Sequence, residues 1–386
     1  MKKKIILTGC VILVTALAST AVFTAKNKTI IFNESSKQEV DLEVAKTKKP
    51  HKLNTKQLTK DLSKNSLEKE VVLDVAWGDK DEQFILSKYQ ESPNLDVRWG
   101  TPSSFAVHKN GDIYVADSIN HKIKVFSKNK LKEVIPFEES INQSYFVMND
   151  ISVDDEGNIY GVVTNANEVV KIGKSKKVEK AFENVSFERP LSIKYLSSGN
   201  LMVEDNIDSQ NATRVRKFNK SGVAYFDTSL ANYINMGLYQ YEDVNGNIVD
   251  ISDIGHKNFQ VTIKDKNTKS VQGIVNVDSV EESPEMYRGI SLLGVDKKGM
   301  VYFYLIEEPN SPSEEIPIWK HQKMYVMRVD PKTDKSETMQ MENRDGSLGI
   351  ATGYSYGLDI KLGSDGSIYQ LQMNSESYKI YKYKFD

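Results

Sequence analysis

One short phrase recurs six times along this chain: a turn ending in Gly, a single spacer, then an aliphatic residue usually followed by Tyr. It reads Gly111-Asp112-Ile113-Tyr114, Gly157-Asn158-Ile159-Tyr160, Gly199-Asn200-Leu201-Met202, Gly246-Asn247-Ile248-Val249, Gly299-Met300-Val301-Tyr302 and Gly366-Ser367-Ile368-Tyr369. Self-similarity at a period of about 40–50 residues points to a ring or stack of one supersecondary unit. A unit of that kind cannot bury its apolar face alone, so the copies must pack on one another.

The first unit specifies what is being repeated. Phe105 and Val107 alternate with Ser104, Ala106 and His108, the period of a strand. Asn110-Gly111 predicts the tightest kind of hairpin, through easy access to positive φ. Ile113–Ala116, Lys122–Phe126 and Leu131–Ile135 predict three further strands, broken by turn-forming Asp117 to His121. Four antiparallel strands are one propeller blade. The expected fold is therefore all-β: a six-bladed β-propeller of four-stranded antiparallel blades over residues 71–386. In the fourth unit the apolar register slips by one onto Tyr239 and Tyr241, which predicts a turn of different build. The sixth unit reaches Asp386 after three strands, and the missing one is available at Val71–Ala76. This N-terminal strand is expected to pair with Tyr378–Phe385 and close the ring, leaving no unpaired edge.

The stretch from Pro102 to Phe126 resembles an NHL repeat. That pattern runs from Pro through a short aliphatic strand to Asp/Asn-Gly-Asn/Asp-Ile/Val-Tyr-Val-Ala-Asp, then Asn-x-Arg-Ile and Phe. Here Asn110 to Asp117 follow it closely, with Lys122 in the place of Arg. The later units keep only the Gly-x-aliphatic core. The resemblance implies a six-bladed propeller of the TolB-like superfamily, which also holds gluconolactonase-like and streptogramin-lyase-like proteins. Fold alone transfers none of their activities.

Lys2-Lys3-Lys4 precede an apolar stretch from Ile5 to about Thr24, enough residues for a helix to cross a bilayer. Residues 1–25 are thus expected to form a hydrophobic helix acting as signal peptide or membrane anchor, with the propeller outside the cytoplasm. Ala16-Leu17-Ala18 suits a cleavage site, and Leu7-Thr8-Gly9-Cys10 resembles a lipobox. Cys10 is the sole cysteine, so the folded part has neither disulfide nor thiolate site. Residues 26–70 read as a Lys-rich tether, with a short strand at Ile30-Ile31-Phe32. The first 70 residues hold 14 lysines against 7 acidic residues, and the whole chain carries a net charge of -2, which leaves the propeller about nine negative charges. An acidic domain argues against a nucleic-acid partner, whose phosphates need a basic footprint.

The five histidines fall in separate places, with no zinc-site spacing. Asp117 and Asp205 share a register position after the turn Gly and are expected to cap a turn. Candidate ligand-binding residues lie at the start of the innermost strands, around the axis: Asn149, Asp150 and Asp359, preceded by Arg189 and Arg288, with Tyr356 in the last unit. Oxygen ligands converging there could hold a divalent cation, Ca or Mg. The resemblance to gluconolactonase-like propellers implies a set of Glu, two Asn and Asp; Asn149, Asp150 and Asp359 fit in part, but no matching Glu is found. Lys194 and Lys361 are placed to neutralise these carboxylates instead. The irregular insertion Glu307 to Gln322 presents Trp319 on a proline-stiffened loop, a suitable binding anchor. Three functions are compatible with this set. One is a non-enzymatic extracytoplasmic binding or scaffold propeller that recognises a protein, peptide or glycan. Another is a metal-dependent enzyme of lactonase or lyase type with an axial cation. The third is a purely structural envelope component, which predicts no pocket with convergent polar groups.

Overall fold

The computed structural model describes residues 20–25, 28–33, 51–54, 69–89, 98–137, 148–182, 185–207, 212–231, 240–253, 258–278, 286–309, 323–333, 335–343 and 359–385. Among them, six antiparallel four-strand units are arranged as the blades of a propeller. Blade one comprises Ser104–Val107, Ile113–Asp117, Lys122–Ser127 and Lys130–Pro136, and blade two Met148–Val153, Ile159–Val163, Glu168–Ile172 and Val178–Lys180. Blade three comprises Pro190–Tyr195, Leu201–Ile207, Ala212–Phe218 and Ala224–Ala231. Blade four comprises Gln240–Glu242, Ile248–Asp253, Asn258–Lys264 and Val271–Asp278. Blade five comprises Met286–Val295, Val301–Pro309, Lys323–Asp330 and Lys335–Met341. Blade six takes Ile360–Leu362, Ile368–Met373 and Ser377–Tyr383, and its outermost strand is Lys69–Ala76, with Lys69 opposite Tyr383 and Ala76 opposite Ser377.

The six phrase glycines all sit at positive φ, from 76° at Gly246 to 89° at Gly111. In each turn the Gly N–H returns to the carbonyl three residues earlier, as from Gly111 to His108 at 2.9 Å. The residue after Gly closes the hairpin, as Asp112 does by accepting from His108 N–H. This is a three-residue loop with a G1 bulge, one residue longer than the hairpin Asn110-Gly111 was expected to make. Blade four uses the same bonds, Gly246 N–H to Asp243 and Asp243 N–H to Asn247, so its turn is not of different build. What slips there is the strand: Tyr241 is buried, and Glu242 beside it points into blade three. Asp154, Asp243 and Asp296 brace three of these turns identically, each Oδ1 accepting two backbone N–H groups within the loop.

The core lies between blades. Ile123 and Val125 of blade one pack with Ile151 and Ile159 of blade two, and Tyr302 and Val326 of blade five with Ile360 and Ile368 of blade six. Leu73 of the N-terminal strand joins Leu371 and Ile380 of blade six and Val115 of blade one. The segment after that strand covers the same seam. Trp77 donates from Nε1 to Asn374 O at 2.8 Å, and the Phe84 ring lies 4.9 Å from Tyr378 and 5.7 Å from Phe126.

Two findings concern the N-terminal region. Thr20–Ala25 and Lys28–Asn33 pair as an antiparallel hairpin. The greater part of the expected hydrophobic helix lies outside the described residues, and no helix among them is long and apolar enough to cross a membrane. Within the expected tether, His51–Asn54 adds a fifth strand to blade four, parallel to Val275–Asp278.

Candidate functional site

Inner strands meet around the axis, and their side chains link one blade to the next. Asp150, on the inner strand of blade two, is fully buried. Its Oδ1 accepts from Ser104 Oγ of blade one and from Lys361 Nζ of blade six, both at 2.7 Å. Its Oδ2 accepts the Ile193 N–H of blade three at 3.0 Å. One carboxylate therefore ties four blades together at the axis. Such a buried charge is tolerated because the Lys361 ammonium and two neutral donors take the place of its hydration.

A second link joins blades three and four. Lys194 Nζ donates to Tyr241 Oη at 2.6 Å and lies 3.7 Å from Glu204 Oε1. Burial pushes the Tyr241 hydroxyl above its ordinary pKa, only partly offset by the Lys194 charge. Ser152 Oγ accepts the Tyr195 N–H at 2.9 Å, and burial pushes the Tyr195 hydroxyl up to about 12. Of the two lysines expected to neutralise axial Asp residues, Lys361 takes Asp150, whereas Lys194 pairs with Glu204. Glu204 lies on a second strand and carries no sequence signal that would have singled it out.

The remaining candidates are dispersed. Asn149 is the extra residue of a β-bulge between Met148 and Asp150, and its Oδ1 accepts the Thr164 N–H at 3.4 Å. That bulge turns Asn149 away from the Asp150 cluster, as bulges re-aim side chains. Arg189 is exposed just before the inner strand of blade three, its N–H on Asp205 Oδ1 at 2.8 Å. Asp359 is buried before the inner strand of blade six, its carbonyl accepting Leu371 N–H at 2.8 Å. Arg288 lies in the first strand of blade five, and its side chain is outside the described residues, as are Tyr356 and Trp319 entirely. Among the described residues no group of three or more His, Cys, Asp or Glu is gathered that could hold a metal. Asp205 does accept backbone N–H groups, from Glu188 and Arg189. Asp117 does not cap its turn; it takes Lys124 Nζ at 2.9 Å and Asn120 Nδ2 at 2.8 Å instead.

The two ends of the channel differ. Strand direction alternates, so the first-to-second and third-to-fourth turns of every blade share one edge. At that end the inner turns are bridged across the axis. Lys297 of blade five lies 3.5 Å from Asp155 of blade two, His108 Nε2 lies 3.3 Å from Asp155 O, and Ser197 Oγ donates to Val295 O. The opposite end carries the longer connections, including the insertion at residues 310–322.

The NHL repeat family model matches residues 100–126. The match falls on the first blade, which is similar to an NHL repeat. Within the matched stretch the buried Asp117 closes its ion pair with Lys124 inside the blade. No curated protein matches the chain. Among solved structures, a streptogramin B lyase aligns at 12% identity and TM-score 0.40, covering 83% of this chain and 98% of its own. Virginiamycin B lyase from Staphylococcus aureus aligns at 13% identity and TM-score 0.42, covering 83% and 99%. A putative gluconolactonase aligns at 11% identity and TM-score 0.41, covering 84% and 95%. Superpositions this loose say nothing of this chain's chemistry.

Proposed function

We propose that this NHL-repeat propeller is a non-enzymatic, extracytoplasmic binding platform for a protein, peptide or glycan, held by its N-terminal segment. The observation that carries the reading is the use made of Asp150. It is the carboxylate best placed on the axis, and its oxygens are engaged by Ser104, Lys361 and Ile193 N–H. A carboxylate holding a lysine and stitching four blades is a structural strut, and a catalytic cation would have to displace that lysine. The ligand approaches from the long-connection end, where Arg189 is exposed and where the loop bearing Trp319 joins blade five. The N-terminal strand closes the ring between the first and last blades. The support for this closure is the antiparallel pairing of Lys69–Ala76 with Ser377–Tyr383.

Elemental analysis of the purified full chain tests the choice of function. No stoichiometric calcium or magnesium is expected in the wild type. One ion per chain, lost in both Asp150→Ala and Asp150→Asn while unfolding stays cooperative, would overturn the reading in favour of a lactonase- or lyase-type metalloenzyme.

A further inference from the structure

The turn end of the propeller bears a ring of cations that the function above does not use. The outer turn of each of the first five blades presents an exposed lysine: Lys128, Lys176, Lys220, Lys266 and Lys332, of which Lys176 is paired with Glu133. In blade six, exposed Lys384 follows the third strand at the same edge. Acidic groups at this edge are mostly committed to the turns themselves: Asp265 and Asp330 accept loop N–H groups, and Asp155 takes Lys109 and Lys297. Glu156 and Asp365 are exposed there, and Asp365 is 3.5 Å from Lys382.

Apolar groups stand beside the cations. Val223 is 59% exposed, Tyr225 47% and Val244 45%; they are three of the four exposed large hydrophobic residues among those described. Val223 and Tyr225 come from the outer turn and strand of blade three, and Val244 from the inner turn of blade four. Tyr225 donates to Glu242, two residues before Val244, which places the three side by side. The closing strand also begins here: Lys69 opposes Tyr383 at this edge, after His51–Asn54 has run along the outer strand of blade four.

From these three features together we propose that the turn end docks on an anionic phospholipid bilayer. The lysine ring sits over the headgroups, and Val223, Tyr225 and Val244 enter the interface. Lysines alone would suit any polyanion. Apolar tips amid lysines, on the edge where the closing N-terminal strand begins, favour the bilayer. The inference rests on the membrane attachment in that reading but concerns the end opposite the ligand-binding end, and the vesicle test reads it apart from the metal content that tests the function.

Hydrogen exchange of the full chain provides the test, with vesicles of phosphatidylcholine alone or containing about a third phosphatidylglycerol, a choice that sets the surface potential. Peptides covering residues 219–225 and 243–247 are expected to exchange several-fold more slowly with the anionic vesicles only. That protection should disappear in a variant carrying Lys128→Gln, Lys176→Gln, Lys220→Gln, Lys266→Gln and Lys332→Gln. These sites are exposed, so its unfolding curve should match the wild type. Val223→Ser/Val244→Ser should weaken protection at unchanged salt dependence. Equal protection by both vesicles, no protection by either, or equal protection by soluble polyphosphate would each overturn the proposal.

Discussion

Gly366 and Gly111 occupy the same corner of the same turn, but their surroundings differ. A Cβ on Gly111 would meet nothing within 4 Å, whereas on Gly366 it would lie 2.5 Å from Tyr302 Oη and 2.9 Å from Asp296 Oδ2 of the neighbouring blade. Both residues hold φ above 80°. Gly111→Ala should therefore cost about 1–2 kcal/mol, the penalty of a left-handed alanine. Gly366→Ala should cost about 3 kcal/mol or more, because it also pushes Tyr302 off the hydrogen bond it donates to Asp296 at 2.9 Å. Urea unfolding of the two variants measures the difference; equal midpoints would mean that the contact between blades five and six contributes nothing. At this scale the sequence was informative, since only a residue at ease with positive φ serves at each turn. Asn110-Gly111 nevertheless misled, because the same dipeptide suits a two-residue hairpin and a bulged three-residue one.

Between elements, the most consequential contact is a buried ion pair joining blades three and four. Glu242 accepts from Lys217 at 3.2 Å, Tyr225 at 2.6 Å and Asn200 at 2.9 Å. Burial alone would raise the Glu242 carboxyl, but the Lys217 charge and these donors hold it below its ordinary value of 4.5. Burial lowers the Lys217 ammonium, opposed by Glu242. A carboxyl depressed by folding adds stability that is complete above its unfolded pKa and is lost as pH falls through the folded one. Glu242→Gln should remove that part of the acid dependence and destabilise by about 3–5 kcal/mol at neutral pH, since it leaves Lys217 buried opposite a neutral group. Thermal unfolding between pH 3 and 7 checks both; an unchanged acid slope would refute the linkage. Nothing in the sequence announced this pair. Lys217 and Glu242 belong to different repeats, and their meeting depends on how two sheets pack. The strands themselves were legible because alternation and turn chemistry are local. His51–Asn54 was not, having one aliphatic residue and no turn signal, so it read as tether although it lies along blade four. The axial cluster was half legible: Asp150 and Lys361 were found by register, while the bulge that diverts Asn149 was not.

For the whole molecule, the two ends of the chain meet in one sheet. Deleting residues through Trp77 would remove Leu73 from the core, the Trp77 bond to Asn374 and the pairing along Ser377–Tyr383. The truncated chain should unfold over a broader denaturant range with a lower m-value, as blade six loosens first. A transition as steep and as late as that of the full chain would show the seam to be dispensable. The direction of the seam has a mechanical corollary. Lys69 and Tyr383 sit at the same edge, so once His51–Asn54 has parted from blade four a load applied through the N-terminal segment away from that edge pulls the strand along its own axis. The rungs of the ladder are then strained together in shear and cannot peel one at a time, and a propeller held in this way resists traction best along its own tether.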